Sequence, residues 1–359
     1  MRTRALIALP VLAACFSATP VRADATAGSI QIGGFVDLYA AYNRNRPADH
    51  INFLPGANTL GSRAGELAVD FAAVEIQRDP APVGFHLIVG AGDELTVLHP
   101  GESAASRDTF RNVYQASLSY LVPVGRGLRI EAGIYPSHIG FESALARDTW
   151  SYTGSWAANF SPYYQTGVKA AYAWSDRWSA ELHVVNGWQL IRDDNGGKSV
   201  GTRVAWTSPR ASVAVNGWVG PELPGDDRHL RTLIDLVATV KAGDRLDLAL
   251  ESYAGRQELP AATAQRWTAL DLYARYRLDR TWAAALRLER FDDPDAGISG
   301  APQRLHGVTV TLEARPHPAA ILRLEARYDR STMPVFSAAD PGIRRRDQLL
   351  FIAGSIFTF

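Results

Sequence analysis

The residues with the most evident chemical potential are arginines and carboxylates that recur at alternate positions in the last quarter of the sequence. Side chains two apart share one face of a β-strand, so these charges would line a single face. A charged face is costly unless water reaches it or the charges are paired. The pattern therefore predicts either a water-filled lumen or a densely paired plug of salt bridges. The face comprises Arg275, Arg277, Arg287, Arg315, Arg323 and Arg327 with Asp271, Glu289, Glu313, Glu325 and Asp329.

A second candidate site is the stretch 136–163, which is rich in aromatic residues and carries Glu142, Arg147 and Asp148. Aromatic content favours packing inside the protein, although an external loop packed on its neighbours is the alternative. If the stretch folds inward, its acids would oppose the wall arginines across a gap. Such a transverse field orients polar solutes in a narrow pore. Six arginines against five acids on the wall are too balanced to predict ion selectivity.

Catalytic signatures are missing from the sequence, which has no Gly-x-Ser-x-Gly and no His-Glu-x-x-His. Its eight histidines have no metal-ligand spacing, and a single Cys excludes a disulfide framework. We therefore predict a protein that is not an enzyme and has no cofactor or metal. A hydrolase whose residues converge in space stays an alternative, with three acidic pairs in predicted loops: Asp193-Asp194, Asp226-Asp227 and Asp292-Asp293.

The elements that must position these residues are strands. Apolar and polar residues alternate from about residue 30 to the end, and no segment sustains a helical period. Connections alternate in length, which predicts sixteen strands with both termini on the short-turn side. Short turns are predicted near 79–82, 123–127, 175–177, 207–210, 242–244, 279–280 and 316–318. Long loops are predicted near 43–62, 92–110, 136–163, 189–198, 221–230, 256–264, 292–303 and 331–345.

Tight turns, long loops and an even strand number are typical of an all-β, antiparallel, transmembrane barrel of the outer-membrane type, with short periplasmic turns and long extracellular loops. Closure is required because an open sheet edge in hydrocarbon leaves backbone groups unpaired. Lysines and arginines balance acids at 37 each, which argues against a nucleic-acid binder. Aromatics near strand ends fit two interfacial girdles: Tyr39, Trp174, Trp178, Trp188, Trp206, Trp218, Trp267 and Trp282.

The two ends of the chain resemble export signals. Residues 1–25 have a charged start, a short apolar run and small-residue cleavage sites, and we predict a cleaved signal peptide followed by a barrel over 26–359. Lipidation at Cys15 is the alternative processing. The last ten residues place Phe351, Ala353 and Phe357 on one face and end on Phe359, which is similar to the C-terminal signal of Gram-negative outer-membrane barrels.

Several local motifs resemble the OmpL-like β-barrel porin family over roughly residues 33–190. The resemblance implies a porin, and it assigns no roles to individual residues. The matching segments are Gly33-Gly34-Phe35-Val36-Asp37 with Tyr39, Tyr42-Asn43 and Arg46-Pro47, Val113-Tyr114-Gln115-Ala116 with Tyr120, Ala132-Gly133-Ile134-Tyr135-Pro136 with Gly140-Phe141-Glu142, Pro162 with Gly167-Val168, and Val185-Asn186-Gly187-Trp188.

The sequence thus predicts a bacterial outer-membrane porin for passive diffusion of small hydrophilic solutes or ions, since sixteen strands leave an aqueous channel. A non-conducting barrel that acts as a surface receptor or adhesin is the main alternative. The predicted partners are outer-membrane lipid and lipopolysaccharide, with no nucleic acid, and a homotrimer is a further expectation. Pore-lining or constriction roles are predicted for Glu142, Arg147, Asp148, Arg275, Arg277, Arg287, Glu289, Glu313, Arg315, Arg323, Glu325 and Arg327.

Overall fold

The protein is a closed antiparallel β-barrel of sixteen long strands, seen in a computed structural model that describes residues 28–54, 60–99 and 101–359. The predicted signal peptide and Cys15 lie outside the described residues. The strands are β1 (Gln31–Asn43), β2 (Leu67–Arg78), β3 (Val83–Ala91), β4 (Val113–Val122), β5 (Leu128–Pro136), β6 (Tyr164–Ala173), β7 (Trp178–Val185), β8 (Ser199–Thr207), β9 (Ala211–Leu223), β10 (Asp226–Lys241), β11 (Leu246–Leu259), β12 (Ala262–Arg277), β13 (Trp282–Asp293), β14 (Gln303–His317), β15 (Ala320–Ser331) and β18 (Asp347–Thr358).

Each barrel strand pairs with its neighbour in the chain, and β18 closes the ring between β15 and β1. The closing register brings Val36 opposite Phe357 and Asn43 opposite Leu350, so the last strand is paired along both edges. The short strands β16 (Phe336–Ser337) and β17 (Arg344–Arg345) form a separate hairpin between β15 and β18. The predicted class and strand number are confirmed.

Side chains alternate strictly between the two faces of the wall. On β12 the apolar Leu270 and Leu272 are exposed outside, while Asp271 and Tyr273 are buried inside. The outer face is apolar over most of its height, as a lipid-facing wall must be. Phe351 and Phe357 also lie on this outer face, as the sequence predicts.

The predicted aromatic girdle is only partly correct. Trp174, Trp178 and Trp282 are exposed on the outer surface near the short turns. Tyr39, Trp218 and Trp267 are buried inside the barrel instead, because their positions fall on the inward face of their strands and pack against material in the lumen.

The two ends of the barrel differ, and we call them the turn end and the loop end. Two predicted long loops are wrong. The strands β9 and β10 continue to a tight turn around Gly225, and β11 and β12 continue to a turn between Leu259 and Ala262. The polar residues at 221–230 and 256–264 predict loops, but they belong to two hairpins that extend past the apolar band.

In the part of the chain that the structure describes, three short helices lie in connections at the loop end: α1 (Asp93–Leu98), α2 (Ala104–Phe110) and α3 (Trp156–Asn159). The first packs on β2, with Leu95 and Leu98 in a cluster that includes Phe35 and Phe71. No helix in the described part of the chain is long and apolar enough to cross a membrane.

Candidate functional site

The candidate site is the lumen and the connection between β5 and β6, residues 137–163, which we call the inner loop. This loop folds into the barrel, and Tyr152 and Trp156 are completely buried there. Its start contacts β6 to β9 through His138, and the rest runs along the other side of the lumen, from β10 through β15 and on to β1 and β2. We call the inward faces of β10–β15 the anchoring wall and those of β3–β8 the open wall.

Arginines of the anchoring wall bind the carbonyl oxygens of the inner loop. Arg323 donates to Ala146 O at 2.6 Å and to Ser151 O at 2.9 Å. Arg327 donates to Gly154 O at 2.5 Å, and Arg287 donates to the carbonyl of Thr153. These guanidinium groups have almost no exposed area. Their N–H groups donate to the loop and to wall carboxylates instead of to water.

Carboxylates of the same wall accept the amide hydrogens of the inner loop. Glu325 accepts from Tyr152 N at 2.5 Å and Thr153 N at 3.1 Å, and Glu289 accepts from Trp156 N at 2.7 Å. Further along the loop, Asp235 and Glu251 accept from Gly140 N and Phe141 N. An irregular buried segment must satisfy its backbone groups with side chains, and this wall supplies both signs of charge.

The fit of the loop to the wall is also steric. A Cβ atom at Gly354 of β18 would lie 2.4 Å from the ring carbons of Tyr152, so only glycine admits that ring. The Tyr152 hydroxyl then donates to Asp37 of β1 at 2.8 Å. Trp156 packs on Phe160 and on the guanidinium of Arg327.

The expected field between loop acids and wall arginines is not formed by Glu142. Its Oε1 accepts from Arg287 at 2.9 Å, and its side chain is 1% exposed, so no gap separates the charges. Burial raises the pKa of Glu142, while Arg287 acts in the opposite direction. The predicted transverse field is therefore wrong for Glu142 and Arg287. The two side chains form a buried ion pair that attaches the loop to the wall and do not face each other across a gap.

The other predicted arginines lie toward the turn end. Glu313 holds Arg275 at 2.6 Å, Arg315 at 2.8 Å and Arg323 at 2.7 Å. Arg277 pairs with Asp247, and its side chain is 38% exposed. Exposure along this wall thus rises from the buried Arg287 toward the turn end.

Arg147 and Asp148 lie at the far edge of the inner loop and keep some exposure. Arg147 binds Glu75 of β2 at 2.9 Å and covers the ring of Phe35. Glu75 also binds His86 of β3 at 2.8 Å. This edge of the loop is thereby attached to β2, the strand that precedes the open wall.

The open wall carries ion pairs that sequence reasoning missed. Lys169 of β6 lies 3.1 Å from Glu131 of β5, and Arg129 lies 3.5 Å from the same carboxylate. Glu181 of β7 is opposite Arg203 of β8 in the strand register. The side chains of Arg129 and Glu181 are 34% and 28% exposed, in contrast with the buried anchoring arginines.

The signal for these residues was present in the sequence. Arg129 and Glu131 stand two apart, as do Glu181 and His183, and the same alternation revealed the charges of the last quarter. Within the described residues, one charged side chain of the open wall binds the backbone of the inner loop: the guanidinium of Arg203 donates to His138 O at 3.2 Å.

A row of acids stands behind the inner loop. Glu251 and Asp271 are directly opposite each other on β11 and β12, and both are fully buried. One oxygen each of Asp235, Glu251 and Asp271 has no hydrogen-bond partner among the described residues. No group of three or more His, Cys, Asp or Glu placed to hold a metal ion occurs in the described ranges.

The sequence matches the model of the family described as "Putative beta-barrel porin-2, OmpL-like" over residues 29–359. The chain belongs to this porin family. The match extends well beyond the segment 33–190 that carries the recognisable motifs. Among curated proteins, none matches the sequence significantly.

Solved porins and other outer-membrane proteins share the fold of this porin-family chain. The anion-selective porin from Comamonas acidovorans is 13% identical, with a TM-score of 0.64 over 92% of this chain and 100% of that one. The channel DcaP of Acinetobacter baumannii is 11% identical, with a TM-score of 0.61 over 93% and 98%. The outer-membrane protein OmpT of Vibrio cholerae is 10% identical, with a TM-score of 0.59 over 94% and 99%.

Proposed function

We propose that the protein conducts small hydrophilic solutes and ions passively across the bacterial outer membrane, without a chemical step. The observation that carries the proposal is the placement of the inner loop, which is fastened to one wall of a closed barrel and faces partly exposed charges on the other. The passage runs between the edge of the loop and the open wall. In this proposal Arg147 and Asp148 form one side of the constriction, and Arg129, Lys169 and Glu181 form the other.

The predicted charges of β12–β15 take two roles in this proposal. Arg287, Arg323, Arg327, Glu289 and Glu325 hold the constriction in place and do not meet the solute. Arg275, Arg277, Glu313 and Arg315 line the wider mouth at the turn end, where their partial exposure supports contact with water. Glu142 belongs to the first group.

The cellular setting follows from the family and is also part of the proposal. Residues 1–25 would direct export and be removed, leaving the turn end in the periplasm and the loop end outside. Outer-membrane lipid and lipopolysaccharide would surround the barrel. A homotrimer is supported by a structural neighbour that is described in a trimer form, the in-vitro folded OmpT of Vibrio cholerae.

The test is single-channel conductance of the refolded protein in a planar bilayer, with the reversal potential in a salt gradient. The wild type should give stable open steps, and removal of residues 141–156 should raise the conductance several-fold. A matched control replaces 258–264 by a two-residue turn, which shortens the β11–β12 hairpin and should leave the conductance unchanged.

Two results would overturn the proposal in different ways. Equal conductance with and without 141–156 would show that the inner loop is not the constriction. A folded wild type without open steps, combined with a conducting deletion variant, would identify a plugged barrel. The receptor or adhesin alternative would then replace the channel.

A further inference from the structure

A group of basic residues lies on the outer surface of the barrel, facing away from the lumen, where the apolar band ends near the loop end. Three of these residues are Arg256 of β11, Arg290 of β13 and Arg330 of β15. The outward residue two positions closer to the turn end is Ala254, Leu288 or Tyr328, respectively, and each of these is exposed. We call this surface the arginine belt. Its members are Arg256, Arg266, Arg290, Arg304, His306 and Arg330.

The belt is confined to one side of the barrel. On β12, β13 and β14 the outward apolar residues Leu270, Leu288 and Val308 are exposed, and the next charged outward residues toward the loop end are Arg266, Arg290 and Arg304. On β6, β8 and β9 the corresponding outward positions near the loop end carry no charge. They are occupied by Thr166, Thr202 and Val219.

The belt holds more positive charge than its neighbours neutralise. Glu258 pairs with Arg256, and Asp292 is shared by Arg290 and Arg304. The side chains of Arg266 and Arg330 form no ion pair within the described ranges. Asp295 accepts from the backbone N of Arg266 at 3.0 Å, and Asp347, opposite Arg330 in the strand register, pairs with Arg44 at 3.1 Å.

One cross-strand pair in the belt brings two like charges together. Arg256 and Arg266 are directly opposite each other across β11 and β12 and both point outward. Like charges directly opposite each other destabilise a sheet, and of these two side chains Arg256 is the one that pairs with an acid, Glu258.

We propose that the arginine belt binds the phosphate groups of anionic lipid in the leaflet at the loop end. The site lies where an apolar wall meets the polar end of the barrel, which is the depth of a lipid head group. Arginine matches phosphate in geometry as well as in charge, and a basic residue near an anionic leaflet adds to membrane binding. The inference rests on the proposed orientation in the outer membrane.

The test uses the full mature chain refolded in a neutral detergent, with diphosphorylated lipid A as the probe and native mass spectrometry as the readout. Arg266→Gln, Arg290→Gln and Arg330→Gln are combined in one variant, and binding should weaken roughly a hundredfold. The matched control combines Arg210→Gln, Arg245→Gln and Arg280→Gln near the turn end, which changes the same charge and should keep wild-type binding. Arg266→Gln alone serves as a second variant with about a fivefold loss.

Two results would overturn the belt. One is equal binding of dephosphorylated lipid A by the wild type, and the other is equal loss in the turn-end control. Inorganic phosphate, added as a competitor at millimolar concentration, should displace little lipid; full displacement would indicate binding of the free anion. Conductance of the same preparations separates the two proposals, since a conducting protein with no lipid preference refutes the belt alone.

Discussion

The two sides of the lumen carry similar charged residues, but those at the centre of the anchoring wall are buried against the inner loop and several of those on the open wall stay partly exposed. On the anchoring wall Arg287 and Arg327 have no exposed side-chain area, and their donors are used by the inner loop and by neighbouring acids. On the open wall Arg129 and Glu181 pair only with neighbours and remain partly exposed. An inward charge therefore indicates contact with water only where no other segment covers it. The anchoring wall is densely paired, as in one of the two arrangements that the sequence predicts, and a water-filled lumen beside the open wall stays a prediction.

The largest expected effect comes from breaking the anchoring wall at its centre. Arg287→Met leaves Glu142 and Glu289 without their shared cation, and removal of one partner from a buried ion pair costs about 3–5 kcal/mol. The inner loop should detach and the single-channel conductance should rise several-fold with greater noise. Arg315→Met is the control, since Arg315 binds Glu313 and forms no hydrogen bond or ion pair with the loop within the described residues. Similar traces from both variants would remove the distinction between anchoring and lining arginines.

A smaller loosening is expected from Glu325→Gln. The substitution keeps the shape and removes the charge that accepts from Tyr152 N and Thr153 N, and a hydrogen bond to a charged group contributes about 1.5–3 kcal/mol. Hydrogen exchange of the Tyr152 and Thr153 amides should accelerate roughly ten- to hundredfold. The amide of Tyr135, on β5, should not change. Unaltered exchange at 152–153 would mean that the wall does not hold the loop by charge.

His138, at the start of the inner loop, should make the docking of the loop depend on pH. Burial, with His183 stacked on the ring, lowers the pKa of His138 to about 3. A released loop would have a histidine pKa near 6.5, so the docked state binds fewer protons. Docking is therefore fully stable above pH 6.5 and weakens as the pH falls toward 3, by about 1 kcal/mol between pH 7 and pH 5.5.

The measurement is exchange of the amide of Ile139 at pH 7 and pH 5.5, corrected for intrinsic rates. His138→Gln removes the titrating group, so the corrected exchange rates of the Ile139 amide at pH 7 and pH 5.5 should differ less than in the wild type. If wild type and variant respond identically, another group controls the acid response of the loop.

The smallest effect is expected on the open wall. Lys169→Gln leaves Glu131 with Arg129 as its remaining cation, so the reversal potential should shift toward cation selectivity. The conductance should change less than twofold because the backbone of the loop is untouched. Glu131→Gln should shift the reversal potential in the opposite direction. Shifts of the same sign would place this pair outside the conducting path.

Much of the barrel was predictable because alternation is a local property. The inward position of Arg323 or Glu313 follows from strand parity alone, and so does the outward position of Phe357. The two wrong loops have the same origin, since polar residues in 221–230 continue a strand beyond the membrane and composition cannot separate that case from a loop.

The partners of the inner loop were not predictable from the sequence. Its aromatic residues indicate that it packs inside, and Trp156 is indeed buried. Which wall it covers depends on contacts such as that of Thr153 with Glu325, which are 172 residues apart in the chain. No local pattern contains that information, so Glu142 could be assigned to the loop but not to Arg287.

The separation between the inner loop and its anchors has a consequence for the order of assembly. The loop is made after β5, whereas its fastenings come 95 residues later at Asp235 and 177 residues later at Arg323. Until those strands join the wall, the backbone groups that bind Asp235 and Arg323 lack these partners. Full docking of the loop therefore has to follow the addition of β15, and a barrel arrested before β15 would be a wide, unfinished opening in the membrane.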